Sequence, residues 1–313
     1  GSLRRWKEVI GDVDFVVSSR HPASVIGFFV VQPDVASVLA RGETKASVLL
    51  TSGIQADLLT FAAHGIHGTT AITAVTAQNT VEVRAWQALP PALVRAQIEA
   101  VADDMEIQAL KTGMLANRQI IEEVASVIAA RGFANLVVDP VMVAKSGDRL
   151  IDASAESAYL ERLFPLAALI TPNIPEAEVL LARRIRSVDD MKDAATALMR
   201  LGCRAVLVKG GHLEGDPTDV LWDGATLHEI PTARIDTKNT HGTGCTYSAA
   251  ITARLAFGHD VETSVRGAKQ YLNAAIRESY APGRGQGPVR HLNSGAVSAL
   301  GRSTGPQPRP RTY

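Results

Sequence analysis

From about residue 69 the chain alternates between short β-rich apolar runs and stretches whose apolar residues recur at helical spacing. That alternation predicts a largely parallel sheet covered by helices on both faces. Strands are expected at 70–76, 109–112, 135–138, 168–170 and 205–208, with a hairpin of 220–222 and 226–230 around Asp223-Gly224. Helices are expected at 91–103, 118–131, 154–163, 188–201, 246–257 and 260–279, with another beginning at 175–181. The Pro-rich end, with Pro306, Pro308 and Pro310, reads as a disordered tail over 294–313.

Polar residues collect where the predicted strands end: Asp139, Asn173, Glu176 and Lys209. The carboxyl ends of strands are where open α/β sheets bind ligands. Each alone reads equally well as a loop group or a helix cap; four in one topological position point to a site.

His241-Gly242-Thr243-Gly244-Cys245-Thr246 adds a glycine-rich turn feeding a helix of small residues, Ser248-Ala249-Ala250-Ile251-Thr252-Ala253. A helix start of this kind presents free backbone N–H groups to an anion. A cysteine there is expected to have its thiol shifted toward thiolate. The same residues also read as a glycine cap and a buried cysteine. His212 and His241 show no ligand spacing and read as loop polar groups.

Composition narrows the classes. Lys+Arg and Asp+Glu both number 32 in 313 residues, so net charge is zero and nothing global argues for nucleic-acid or membrane binding. Two cysteines, Cys203 and Cys245, are too few for a disulfide framework. With no secretory signal and no apolar run of membrane length, a cytoplasmic protein is expected.

The stretch from about Gly53 to Leu292 resembles the hydroxymethylpyrimidine/phosphomethylpyrimidine kinase family of thiamine biosynthesis. The resemblance is carried by collinear segments: Gly53-Ile54-Gln55-Ala56-Asp57-Leu58, Thr73–Thr80, Lys111-Thr112-Gly113-Met114-Leu115, Val138–Met142, Ala144–Gly147, Thr171–Ala177, Val208–His212, Asn239–Ser248 and Gly285–Val289. It implies a ribokinase-like three-layer sandwich with a mostly parallel central sheet. It also implies ATP and Mg²⁺ as cofactors, a small pyrimidine substrate, and a homodimer as one assembly.

By that resemblance, backbone groups of Gly242, Thr243, Gly244 and Cys245 form the anion hole, and Cys245 is the catalytic base. Gln78, Asp57 and Met114 fall on the substrate side. Lys209, Asn173, Asp139 and Lys269 fall on the nucleotide side, Glu176 orders the metal, and Lys145-Ser146-Gly147 reads as a mobile flap.

The amino-terminal part differs. Gly1-Ser2, Arg4-Arg5, Asp12-Val13-Asp14 and Arg41-Gly42-Glu43-Thr44-Lys45 resemble the palm of family X DNA polymerases, with Asp57 as a third carboxylate. Two carboxylates at i, i+2 on a strand share a face and suit a divalent cation. The chain is therefore expected to be a chimera: a polymerase-like fragment over 1–52 and a kinase-like domain over 53–293. In the kinase family a Ser/Asp/Gly-rich loop lining the pyrimidine pocket precedes Gly-Ile-Gln-Ala-Asp. Here 46–50 is the candidate first strand, and only Thr51-Ser52 separate it from Gly53. Three activities stay open at this point: a pyrimidine kinase, a ribokinase-fold binding protein without turnover, and a metal-dependent nucleotidyltransferase using Asp12, Asp14 and Asp57.

Overall fold

The computed structural model describes residues 47–50, 54–142 and 153–293. The polymerase-like motifs, the 145–147 flap and the 294–313 tail lie outside those residues.

Ten strands are described: β1 Ser47–Leu50, β2 His67–Thr70, β3 Ala74–Gln78, β4 Val83–Ala88, β5 Ile107–Thr112, β6 Leu136–Val138, β7 Leu169–Ile170, β8 Val206–Val208, β9 Thr218–Trp222 and β10 Leu227–Pro231. The helices used below are α1 Ile54–Ala63, α2 Pro91–Asp104, α3 Arg118–Arg131, α4 Ala153–Ala158, α5 Ile174–Leu181, α6 Val188–Leu198, α7 Thr243–Ala256 and α8 Val261–Arg277. Eight strands form one sheet in the order β10-β9-β8-β7-β6-β5-β1-β2. The six from β8 to β2 run parallel, and β9 and β10 extend the β8 edge antiparallel. The candidate first strand thus occupies a slot inside the sheet, between β5 and β2.

Alternation along the strands divides the core in two, because successive side chains point to opposite faces. Leu136, Val138, Ile170, Val206 and Val208 pack with α2, α3 and α6. Val137, Leu169 and Leu207 pack with Tyr247 and Ile251 of α7 and Val265 and Leu272 of α8. Both faces are covered, as a parallel sheet requires. Helix α7 is buried continuously from Thr246 to Ala253, wedged against the sheet, α1 and α8. That explains the small residues of 248–253, since larger ones would overfill the space.

Local chemistry sets most boundaries. Asn117 caps α3 by accepting from Ile120 N–H at 3.0 Å, and Gly132 closes it in the left-handed region. Ser187 and Asp190 form a capping box for α6.

The expected strand at 70–76 is corrected. β2 ends at Thr70 and β3 begins at Ala74. Between them, Gln97 of α2 uses its side-chain amide as a strand partner: Oε1 accepts from Ile72 N–H at 2.9 Å, and Nε2 donates to Ile72 C=O at 3.0 Å. The chain then leaves the main sheet and forms a separate antiparallel hairpin, β3–β4. Two expected helices also change character at their ends. The one at 154–163 becomes a π-helix over Tyr159–Leu163, and the one at 188–201 ends as a 3₁₀ turn over Met199–Leu201. The expected helix at 246–257 starts three residues earlier, at Thr243.

The tip of β3–β4 is clasped to the glycine-rich loop 283–287. Gly285 N–H donates to Thr80 Oγ1 at 3.2 Å. Gly287 N–H in turn donates to Asn239 Oδ1 at 3.1 Å, and His241 N–H donates to Gly287 C=O at 3.1 Å. The hairpin is thereby linked to the segment that leads into α7. A Cβ on Gly285 would lie 1.8 Å from the Thr80 carbonyl oxygen, a backbone atom that cannot rotate away. Gly285→Ala is therefore expected to undock the hairpin at a cost of about 1–3 kcal/mol. Hydrogen exchange checks this: amides of residues 74–88 should exchange faster, with the central strands unchanged.

Candidate active site

Parallel strands in register bring their polar ends side by side. Lys111 and Thr112 end β5, Asp139 follows β6, Thr171 follows β7 and Lys209 follows β8. Backbone bonds continue the ladder beyond the strands: Asp139 N–H to Thr112 C=O at 3.0 Å, Thr171 N–H to Val138 C=O at 2.9 Å, and Lys209 N–H to Pro172 C=O at 2.9 Å.

Asp139 is the hub of this row. Its Oδ1 accepts from Lys209 Nζ at 2.7 Å and from Thr171 Oγ1 at 2.9 Å. Its Oδ2 lies 3.2 Å from Ser248 Oγ of α7. Burial opposes its charge, but Lys209, Lys111 and these hydrogen bonds more than compensate and hold the carboxyl below its ordinary value. Burial likewise opposes the charge on Lys209, and Asp139 and Glu176 outweigh it.

The turn into α7 sits above this pair. A Cβ on Gly244 would lie 3.5 Å from Lys209 Nζ and 3.9 Å from Asp139 Oδ2. Gly242 is the N-cap, with φ +78°, a conformation glycine adopts without strain. Having no side chain, it also leaves the first-turn N–H groups without a side-chain acceptor. Thr243 N–H reaches Thr240 C=O at 3.4 Å, so Gly244 and Cys245 carry the N–H groups best suited to a ligand. An uncapped helix start beside a half-buried lysine is an arrangement for holding phosphate.

The expectation for the Cys245 thiol is corrected. The side chain is half-buried, yet desolvation by the atoms crowded around it pushes the thiol up to about 11. Lys111 and Lys209 pull it down, while Asp57 and Asp139 push it further up. The thiol is thus raised above an ordinary cysteine, with burial as the largest cause.

Asp57 lies in the first turn of α1 but is not a solvated helix-start carboxylate. It is wholly buried, with Oδ2 2.8 Å from Lys111 Nζ, and its Oδ1 is buried with no hydrogen-bond partner. Burial pushes Asp57 up to about 7 against the pull of Lys111. Burial also disfavours the charge on Lys111, but Asp57, Cys245 and Asp139 together raise its pKa. The two partners shift differently because the lysine faces three acids, whereas the aspartate faces one cation and another acid. In this buried pair the Asp57 carboxyl is raised by burial, and the three acids around Lys111 favour its charged form.

Asn173 and Glu176 form the capping box of α5: Asn173 Oδ1 accepts from Glu176 N–H at 2.9 Å, and Glu176 Oε2 accepts from Asn173 N–H at 2.8 Å. Glu176 is buried, which pushes its carboxyl up to about 7 although Lys209 pulls it down. A folded-state pKa above the ordinary 4.5 makes the folded state resist ionisation, so stability is lost as pH rises from about 4.5 through about 7. Glu176→Gln keeps an acceptor for the Asn173 N–H and cannot ionise. Its stability relative to the parent should therefore improve between pH 5 and pH 8 by on the order of 2 kcal/mol, read from urea denaturation at both pH values.

The other expected residues lie further out. Gln78 is exposed on β3. Met114 is half-buried, and its carbonyl accepts from Thr73 Oγ1 at 3.0 Å, beside the hairpin base. Lys269 is buried and paired with Asp219 at 2.6 Å, while the other oxygen of Asp219 accepts from Gly210 N–H at 2.8 Å. It therefore steadies the loop after Lys209 through Asp219. Lys111, Thr171, Ser248 and Asp219 were given no role from sequence. Their signal was position, since each sits at a strand end, in helix α7 or in strand β9, which only the assembled sheet brings near.

The residues fit a hard divalent cation in one respect: Glu176 is a buried oxygen donor whose nearest cation, Lys209, is committed to Asp139. Among the described residues, neither Glu176 nor Asp139 belongs to a three-residue ligand cluster. Among the described residues the group with that geometry is Asp223, His228 and Glu262, joining the β9–β10 turn to α8. No helix among the described residues is long and apolar enough to cross a membrane.

Residues 51–290 match a family described as phosphomethylpyrimidine kinase. A hydroxymethylpyrimidine/phosphomethylpyrimidine kinase of Rhizobium meliloti is 47% identical over 246 residues, covering 77% of this chain and 92% of that protein. The thiamine biosynthesis bifunctional protein of Geobacter sulfurreducens is 49% identical over 77% of this chain, which spans only 49% of that protein's length. Among solved structures, a Bacillus subtilis pyridoxal kinase in complex with ADP aligns with TM-score 0.75 and 37% identity, covering 80% of this chain and 98% of that one.

Proposed function

Because this chain belongs to the phosphomethylpyrimidine kinase family, we propose that it transfers the γ-phosphoryl group of ATP to the hydroxymethyl oxygen of a small pyrimidine, or to that pyrimidine's monophosphate. The observation that carries the reading is the uncapped α7 start, Gly242–Cys245, set over the Lys209–Asp139 pair.

Phosphoryl transfer is mostly positioning and charge stabilisation. The Gly244 and Cys245 N–H groups and the α7 dipole receive the charge on the transferred group. Lys209, held by Asp139 at 2.7 Å, neutralises the nucleotide phosphates. Cys245, once ionised, takes the hydroxyl proton of the substrate. The freed oxygen bonds to the γ-phosphorus, the bond from that phosphorus to its bridging oxygen breaks, and ADP leaves. Asp57 Oδ1, buried without a partner, is an acceptor for a donor on the substrate. Met114 lines the pyrimidine side, and Gln78 reaches it from the hairpin. Asn173 shapes the nucleotide side through the α5 cap, and Lys269 does so through Asp219. Glu176 would order the water ligands of Mg²⁺, which when bound supplies positive charge to the phosphates. The assembly is a homodimer in this reading, in the cytoplasm.

Residues 1–52 are a foreign segment in this reading, which the start of the family match at residue 51 supports. Single long reads of the source DNA across codons 45–65 test the join; an intact locus that reproduces it excludes mis-assembly. The near absence of residues between β1 and Gly53 favours a second reading, binding without turnover. Calorimetry with ATP and with hydroxymethylpyrimidine, beside an assay of ADP release, separates the two. Binding together with pyrimidine-dependent ADP release supports the kinase, and binding alone supports the remnant. Pyridoxal belongs in the same assay as the competing acceptor.

A further inference from the structure

The strap 287–291 returns after α8 and runs beside the chain entering α7. His241 N–H donates to Gly287 C=O at 3.1 Å, and His241 and Pro288 pair as a parallel bridge. The strap is also fastened to α8: Arg290 N–H donates to Ala275 C=O at 2.9 Å, and Tyr271 O–H donates to His291 C=O at 2.6 Å. From this anchored position the buried His291 ring reaches α7, with Nε2 3.0 Å from Thr246 Oγ1. Thr246 is wholly buried and directly follows Cys245. Its N–H donates to Gly242 C=O at 2.8 Å, the bond that closes the first turn of α7. A threonine hydroxyl inside a helix commonly bonds a carbonyl one turn back, as Thr60 Oγ1 does with Ala56 C=O and Thr252 Oγ1 with Ser248 C=O. Thr246 instead turns its hydroxyl out of the helix to His291. The strap therefore grips the α7 start on both sides of Cys245, at His241 and at Thr246.

We propose that His291 is a positioning residue for phosphoryl transfer: by holding the Thr246 hydroxyl it sets the first turn of α7, and so the Gly244 and Cys245 N–H groups and the Cys245 thiol, over the Lys209–Asp139 pair. This role rests on the reading of that turn as the site of phosphoryl transfer. His291 acts through Thr246 rather than on the phosphates. Burial pushes its ring down to about 4, which favours the uncharged form, and either tautomer of that form pairs with a hydroxyl. Loss of the ring leaves a buried hydroxyl without its partner and the turn above it free to shift. A displacement of about 1 Å in a reacting group costs about 10²-fold in rate. Binding of ATP is less sensitive, because Lys209, held by Asp139, meets the phosphates independently of the strap. An interaction completed in the transition state lowers kcat rather than affinity.

The test compares His291→Phe, which removes the ring nitrogens, with His291→Gln, whose amide still pairs with the hydroxyl. His291→Phe should lower kcat by about 10–10²-fold while the Kd for ATP changes less than about threefold, and His291→Gln should keep kcat within about threefold of the parent. Exchange of the Thr246 amide hydrogen, which reads the first turn without turnover, should quicken about tenfold in His291→Phe and stay near parental in His291→Gln. A merely structural ring would cost stability in both variants and leave kcat of the folded protein unchanged. If His291→Phe does not fold, Thr246→Val, of similar size, carries the same kcat measurement, with Thr246→Ser as its rescue. Joined in one chain, Thr246→Val and His291→Phe should cost no more than the larger single loss, since both break one bond. Parental kcat in folded His291→Phe or Thr246→Val, parental exchange in His291→Phe, or additive losses in the double variant overturns the proposal. A parent chain without pyrimidine-dependent ADP release removes the kinase reading, and this role with it, whatever the exchange rates.

Discussion

Cys245→Ala should lower kcat by about 10²–10⁴-fold, the ordinary contribution of a positioned general base, while the Kd for ATP changes less than about threefold. The separation follows from geometry. Nucleotide phosphates are held by Lys209, Asp139 and the backbone N–H groups of the α7 start, none of which the substitution removes. What it removes is the thiol that takes the hydroxyl proton in the proposed reaction. Since burial holds the thiol near 11 at rest, kcat of the parent protein should also climb with pH between about 7 and 10. Stopped-assay kinetics across that range, together with calorimetric ATP titration of the variant, check both statements. A variant of near-parental kcat would remove Cys245 from the chemistry.

The second large effect concerns stability. Lys111→Met should cost about 3–5 kcal/mol, because it strands the Asp57 carboxylate in a site from which water is excluded. The Asp57→Asn/Lys111→Met double variant should recover most of that loss. A neutral pair has no charge to desolvate, and the two residues are in direct contact, so their effects are far from additive. Urea denaturation of the single and double variants at pH 8 gives the comparison. Equal losses in both would mean that the pair is not coupled in the way its 2.8 Å contact implies.

The parts of this molecule that were legible in sequence share one property: local chemistry decided them. The α3 helix, bounded by Asn117 and Gly132, falls where the caps say it should. Strands β6 to β8 are buried on both faces and read as short apolar runs. The collinear motifs placed Asp139 and Lys209 at strand ends, where they do meet.

Where reading failed, a distant residue had intervened. Gln97 takes the backbone of Ile72 out of the sheet from 25 positions away. The thiol of Cys245 is raised mainly by burial, with charges on Lys111, Asp57, Asp139 and Lys209 acting in both directions, and none of these is read from Gly242–Thr246. Lys111 sat inside a matched segment without a role because its partner Asp57 is 54 residues distant. Lys269 was placed on the nucleotide side, yet its direct bond is to Asp219, and its influence there runs through Gly210.

The α7 turn and the row of strand-end residues are proposed to transfer phosphate to a pyrimidine alcohol. Phosphorus NMR of the full chain incubated with Mg-ATP and hydroxymethylpyrimidine tests it most directly. ADP and a new phosphomonoester signal are expected in equal amounts, both absent when Cys245 is alanine. ADP with inorganic phosphate and no ester, or an unchanged ATP spectrum from protein that binds both ligands, would contradict it.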